Sequence, residues 1–219
     1  MFVPDHFRLD DADQIFGLMQ ARPFAILVGW DAESGLVATH LPTVVRRDPA
    51  AHGTIEAHFA RANPHWRMYE RDDALAMFIY NGAENYIRPG WYPSKADTGK
   101  VVPTWNYDAI HAYGRIELVR DVGWLRDHVA TLSNQQEAGQ EQPWSLSDAP
   151  DDYTNIMLRG IIGLRFKISR LEGKRKMSQN RASDDREGVV AGLRARGDDA
   201  AVEVAAIVSQ ELAKTPESG

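Results

Sequence analysis

Short runs of alternating hydrophobic and polar residues fill the first four fifths of the chain, with Gly, Pro, Asn and Asp between them. Period-two alternation marks strands with one buried face, and clustered turn residues mark the connections. Strands are predicted over Pro23 to Trp30, Leu36 to Val45, Thr54 to Phe59, Leu75 to Tyr80, about Ala83 to Trp91, about Pro103 to Glu117, and Ile161 to Leu171. Asp31 to Gly35 reads as a hairpin loop. Pro42 interrupts its strand, and a proline there implies a sheet edge, a bulge or a close ligand. In Ile161 to Leu171 the residues Leu164, Phe166 and Ile168 alternate with Arg165, Lys167 and Ser169, which predicts a strand with one wet, basic face.

Helical spacing appears at both ends and in one central block. A short helix follows Asp10 or Asp11, with Ile15, Phe16, Leu18 and Met19 on its apolar side. Trp124 to Glu137 places Trp124, Leu125, His128, Val129 and Leu132 on one side. Asp151 or Asp152 caps a further helix through Met157 and Leu158. In the tail, Asp184 and Glu187 have capping-box spacing, and Gly197-Asp198-Asp199 separates that helix from another over Ala200 to Ala213. Arg46 to Gly53 reads as a charged loop, and Thr215 to Gly219 is expected to fray. The pattern predicts a mainly β protein with peripheral helices, a barrel or sandwich over residues 1–182, and a helical appendage over 183–219.

Composition narrows the function classes. The chain has 219 residues, no cysteine and a formal net charge of −6. Thiolate chemistry and disulfides are excluded, and generic attraction to nucleic acid or anionic lipid is not expected. The N-terminus lacks the basic and apolar regions of a signal peptide, and no apolar run approaches the ~20 residues that span a bilayer. A cytoplasmic protein with no membrane partner is expected.

Glycine-rich phosphate loops and the GxSxG elbow are absent. His58 and His65 flank ARANP without metal-site spacing, so no metal is expected. Three other features carry chemistry. Asn81 to Gly114 crowds Tyr86, Trp91, Tyr92, Trp105, Tyr107 and Tyr113 beside Ser94, Lys95, Thr104 and Asn106, which suits a planar ligand, a core or a subunit interface. Lys174, Arg175 and Lys176 precede Ser178, Gln179 and Asn180, a set that can hold a phosphate. The alternatives are a solvated turn, or a nucleic-acid patch joined by Arg165, Lys167, Arg170 and Arg181. Arg61 and Asn63 make a second phosphate clamp or a plain surface turn.

Taken together and in order, MFVPDHF, HFARANPHW, YIRPGWYPSK with VPTWNYDAIHAYG, and LEGKRKMSQNR resemble the PaiB-type family of FMN-binding negative transcriptional regulators. The resemblance covers Met1 to about Leu193. It implies a split β-barrel that forms a homodimer and holds FMN between subunits. Carried over, it puts Arg61 and Asn63 near the flavin phosphate or ribityl chain, and Thr104, Trp105 and Asn106 near the ring. It gives Lys174, Lys176, Ser178 and Gln179 a place at the flavin, and sets Thr39 and His40 along its edge. The family reads Ser where this chain has Arg88 and Gly90. DNA as a partner is implied by the resemblance alone, since no helix-turn-helix is apparent. An FMN-dependent oxidoreductase shares the same barrel, with His111 and Tyr107 as candidate acid-base groups. A haem-binding barrel using His40, His58 or His111 is the remaining alternative.

Overall fold

A computed structural model describes residues 1–48, 52–71 and 74–214. The elements in chain order are β1 (Arg8–Leu9), α1 (Ala12–Ala21), β2 (Phe24–Asp31), β3 (Gly35–Pro42), β4 (Val44–Arg46), β5 (Thr54–Ala60), β6 (Ala76–Ile87) and α2 (Ser94–Thr98). They continue with β7 (Thr104–Val119), α3 (Val122–Glu137), α4 (Asp151–Arg159), β8 (Ile161–Lys176), α5 (Ser183–Arg196) and α6 (Asp199–Ala213). The strand order is β3-β2-β6-β7-β8-β5-β4, with β1 pairing β8. The chain divides into two compact units: one of Ala12–Tyr80 and His111–Leu171, the other of Met1–Asp11, Asn81–Ile110 and the residues from Glu172 on.

The first unit holds the barrel, and its closure follows from one proline. Leu36 to Val45, expected as a single strand, is two. β3 ends at Pro42, and after Thr43 the chain resumes as β4. β3 pairs β2 at one end of the strand order, while β4 pairs β5 at the other end. One residue therefore joins the two ends, and the sheet must curl. Thr43 braces the corner: its backbone N and its Oγ1 both donate to Pro23 O (2.9 and 2.8 Å), and Oγ1 accepts from Tyr80 (3.0 Å). Pro42 ends a strand at the sheet edge, where its missing N–H costs no ladder bond. Leu27, Ile55, Phe59, Phe78, Leu164 and Phe166 fill the interior, with Phe78 edge-on to Phe166 at 5.1 Å. β8 alternates as predicted, with Leu164, Phe166 and Ile168 buried.

Two expected strands, Leu75 to Tyr80 and Ala83 to Trp91, are one continuous β6. Asn81-Gly82 has turn chemistry, yet here it shifts the phase of alternation rather than breaking the strand. Ala76, Phe78 and Tyr80 are buried before it, Ala83, Asn85 and Ile87 after it. The same point is where the chain leaves the barrel unit. β8 likewise runs on to Lys176, so the first half of the expected basic loop is strand.

The second unit has its own core: Ala83, Ile87, Tyr92 and Met177 meet Val189, Val190 and Leu193 of α5 and Val204 and Val208 of α6. The expected capping box at Asp184 and Glu187 is not formed. α5 begins two residues earlier, with Ala182 at its N-cap and no side-chain cap bond. The acid with a tertiary role is Asp185, which accepts from Ser94 N (3.1 Å) and Ser94 Oγ (2.8 Å). Gly197, at φ 76°, closes α5, and Asp198 caps α6 by accepting from Ala201 N. The expected caps at Asp151 and Asp152 give way to Pro150, with both acids in the first turn of α4. The expected fraying at the C-terminus and the middle of the Arg46 to Gly53 loop fall outside the described residues.

Candidate functional site

The predicted site residues fall into two groups, one in each unit. In the second unit, the end of β8 and the turn after it lie beside the start of β7. Lys176 Nζ donates to Thr104 Oγ1 and to the Trp105 carbonyl. Asn106 Nδ2 donates to Ser178 Oγ at 3.0 Å, and Ser178 sits at φ 65°, the only described non-glycine residue with a positive φ. That strained turn is braced by Gln179, whose Oε1 accepts from Met177 N (2.6 Å) and whose Nε2 donates to Arg175 O (2.8 Å). Lys174 is buried, with Nζ donating to Phe2 O (3.2 Å) and lying 5.1 Å from the Tyr107 ring centroid. Arg181 lies over Tyr92 at 4.7 Å.

The electrostatics of this corner are unusual. Burial, then the charges of Lys174 and Arg181, pull the Lys176 pKa down from the ordinary lysine value. Among the described residues, Lys174, Lys176 and Arg181 have no carboxylate partner. The nearby Arg175 is different: both oxygens of Asp108 accept from it (2.8 to 3.1 Å), and Glu211 lies 3.6 Å away. Burial pushes the Asp108 carboxyl up despite this pair. Burial alone would lower Arg175, but its bonds to Asp108 and Glu211 outweigh that and hold it more firmly protonated. One cation is thus neutralised in place and three are left for something else. Beside them Trp105 is 52% exposed and meets Tyr86 edge-on at 6.0 Å, so an indole face is open to solvent.

The barrel unit holds the second group. Asn63 caps the 3-10 turn Pro64–Glu70, its Oδ1 accepting from His65 N at 3.0 Å. Its Nδ2 donates to Thr39 Oγ1 (3.2 Å), which also bonds His65 Nδ1 (2.8 Å). His65 Nε2 continues to Tyr69 Oη at 2.9 Å. Gly29 makes the room, since a Cβ there would lie 2.2 Å from Tyr69 Oη and 2.8 Å from His65 Nε2. Burial lowers His65 to about 4 and raises Tyr69, so this relay is neutral at pH 7. Arg61 Nε donates to Arg159 O (2.8 Å). His40 is exposed and stacks on Phe24 at 5.8 Å. From the sequence His65 was weighed only as a metal ligand and Tyr69 was not singled out; the signal was their i, i+4 spacing after an Asn-Pro cap.

Other candidates are placed elsewhere. Arg165 and Lys167 share Glu117 (3.4 and 3.3 Å), which neutralises part of the basic strand face. Arg88 and Gly90 are exposed. His111 Nδ1 lies 3.4 Å from Tyr113 Oη. No group of three or more metal-ligating side chains occurs among the described residues, and no helix there is long and apolar enough to cross a membrane.

Un-neutralised cations, hydroxyls and an open indole are the donor set of an aromatic phosphate ester. The comparisons agree. Residues 1–170 match the family described as "Putative FMN-binding domain". The chain is 30% identical over 216 residues to the protease synthase and sporulation protein PAI 2 of Bacillus subtilis, covering 98% of this chain and 99% of that one. This chain belongs to the PaiB-type FMN-binding family. Its cofactor is FMN, and its fold is the family's split barrel. An uncharacterised protein of Emericella nidulans is 35% identical over 187 residues, 81% of this chain and 73% of its own length. Among solved structures, the FAD and haem binding protein of Mycobacterium smegmatis superposes with a TM-score of 0.56 at 13% identity, over 84% of this chain and 80% of that one. At that identity only the fold is shared. The Lys176 corner offers the kind of donors a phosphate group requires, and Trp105 offers an open aromatic face.

Proposed function

We propose that this PaiB-type protein is a flavin-dependent regulator that works as a homodimer with FMN at the subunit interface. The observation that carries the reading is the extent of the match to PAI 2. The FMN-binding domain ends at residue 170, whereas the match reaches 98% of the chain and so takes in most of the α5–α6 helical pair. The relative is named for protease synthesis and sporulation, processes that a cell controls, and this chain shares its full length. Lys174, Lys176, Thr104 and Ser178 would take the phosphate, and Trp105 a face of the ring. Asn106 and Gln179 would hold the turn that presents Ser178. Thr39, His40, Arg61 and Asn63, all in the barrel unit, are further flavin candidates carried over from the family resemblance. Bound FMN supplies electron-transfer chemistry, and the protein tunes it.

Titrating FMN into the purified protein, followed by flavin fluorescence, with light scattering on the same samples, tests this. Saturable quenching and a dimeric mass are expected; a monomer that does not quench overturns it. Direct contact with DNA rests on the family resemblance, and a gel shift absent at both low and moderate salt removes it.

The Thr39–His65–Tyr69 relay favours a second reading, an FMN-dependent oxidoreductase. A neutral chain of hydroxyl, imidazole and phenol can pass a proton without creating a buried charge. Steady consumption of NADH or NADPH by the FMN-loaded protein would select this reading over the first.

A further inference from the structure

The barrel unit contains a cavity beside a pair of histidines. β5 buries Ile55, Ala57 and Phe59 and turns His58 outward. α3 meets that face with His128, and His58 Nδ1 lies 3.1 Å from His128 Nε2. Trp124 stacks on His128, planes 4° apart, in a space that exists because residue 163 is glycine: a Cβ there would lie 2.3 Å from the Trp124 ring. Next to the pair, α4 and the loop before it enclose a cavity of about 330 Å³, lined by His58, Leu146, Thr154, Leu158 and Ile161. That volume sits at the lower end of the range of small-molecule sites. Trp144, Tyr153 and Met157 also line it and are 42%, 55% and 54% exposed, so they form its mouth.

Two polar atoms here are unexplained by the fold. Thr154 is 4% exposed, and its Oγ1 has no hydrogen-bond partner. His128 is 2% exposed, and its Nδ1 has none either. A buried hydroxyl with no partner costs stability and calls for an occupant. The tautomers of the pair follow from the same accounting. A buried bare N–H is rarer than a buried bare acceptor, so the proton of His128 belongs on Nε2, donated to His58 Nδ1. His58 then carries its proton on Nε2, the ring edge left for the cavity. Burial lowers both histidines, His128 to about 3, so neither brings a charge.

We propose that this cavity binds a neutral, mostly hydrocarbon molecule of one or two rings bearing one carbonyl group, whose oxygen accepts from His58 Nε2 and, once Thr154 turns about χ1 to bring its Oγ1 to the cavity surface, from that hydroxyl. The apolar walls reject an anion, because nothing in them repays its desolvation. Its lining includes none of the flavin residues assigned above.

Calorimetric titration of the full-length, FMN-saturated protein with 1-tetralone tests the proposal, with tetralin and 1-naphthoate as controls. One tetralone per chain is expected, with tetralin bound about five- to tenfold more weakly, the ratio of one lost hydrogen bond, and naphthoate more weakly still. Thr154→Val keeps the shape and removes the unpartnered hydroxyl, so it should fold at least as well. It should weaken tetralone about fivefold and leave tetralin unchanged. Ala149→Phe, which fills the cavity, should abolish both while FMN quenching stays as in the parent protein. No tetralone binding at millimolar concentration overturns the proposal. Equal affinity for tetralone and tetralin, or tetralone binding indifferent to Thr154→Val, overturns it too.

Discussion

Burial lowers the basic groups at both polar corners of this molecule, with opposite outcomes for their charge. At the end of β8, Lys174, Lys176 and Arg181 have no carboxylate partner among the described residues, and the lowered pKa of Lys176 records the cost of keeping charge there. In the barrel unit, His65 and His128 have given up their charge, and each bonds only to neutral groups. The difference is one of chemistry before it is one of place. A lysine surrenders its proton only at great cost, whereas a histidine does so within two or three pH units. The first corner is therefore built for an anion and the second for neutral partners. Each prediction below breaks one side of that contrast.

The largest effect should come from the cation that is already neutralised. Asp108 is 3% exposed and accepts three bonds from Arg175. Asp108→Ala leaves a buried guanidinium with Glu211 as a more distant partner. The expected loss is about 3 to 5 kcal/mol in urea unfolding, the usual cost of breaking a buried pair from one side. A loss below 1 kcal/mol would mean that Arg175 escapes to water and that this corner is not closed.

The histidine side should show itself in acid. His65 and His128 have folded pKa values of about 4 and about 3, below the unfolded value of 6.5. Between those limits the unfolded chain binds more protons, so stability falls as pH drops and is fully restored above pH 6.5. Together they should remove about 2 to 3 kcal/mol between pH 6.5 and 5. His128→Phe should take away about half of that slope in urea midpoints measured across the window. An unchanged slope would assign the acid sensitivity to carboxylates instead.

On the cation side, Lys176→Met should weaken FMN about 10- to 100-fold, the value of one hydrogen bond to a charged group. Riboflavin, which lacks the phosphate, should bind the variant and the parent equally well. A parallel loss for both ligands would place Lys176 at the ring or in the fold rather than at the phosphate.

The same contrast explains what could be read from the sequence. Cations announce themselves: Lys174 and Lys176 stand out before Ser178 in any reading, and alternation alone identified the β8 residues that fill the barrel. Proximity across the chain does not. Nothing local to His128 says that an outward-facing His58, 70 positions earlier, meets it. The apolar pattern placed His128 correctly on the buried side of α3 and could not say what lay opposite. Strand continuity through Asn81-Gly82 was hidden for a similar reason. Turn chemistry is a local preference, and the continuity of β6 within the sheet overrode it. The corner at Thr43 was half legible, because Pro42 signalled an edge but not that the next residues would pair at the far end of the sheet.

The smallest effect concerns Gly90, where the family resemblance leads one to expect serine. Gly90 is exposed, and a Cβ built on it meets nothing within 4 Å. Gly90→Ser should thus change stability by less than about 0.5 kcal/mol, as surface substitutions do. Its FMN affinity is the informative number. If the family's serine hydroxyl reaches the flavin, restoring it should tighten FMN by up to about tenfold, one neutral hydrogen bond. If the exposed Arg88 already supplies the stronger contact, Gly90→Ser should leave affinity alone and Arg88→Ser should weaken it. Measured together in the same fluorescence titration, the two variants separate a lost contact from a replaced one, and they show whether the anion-seeking corner extends beyond the end of β8.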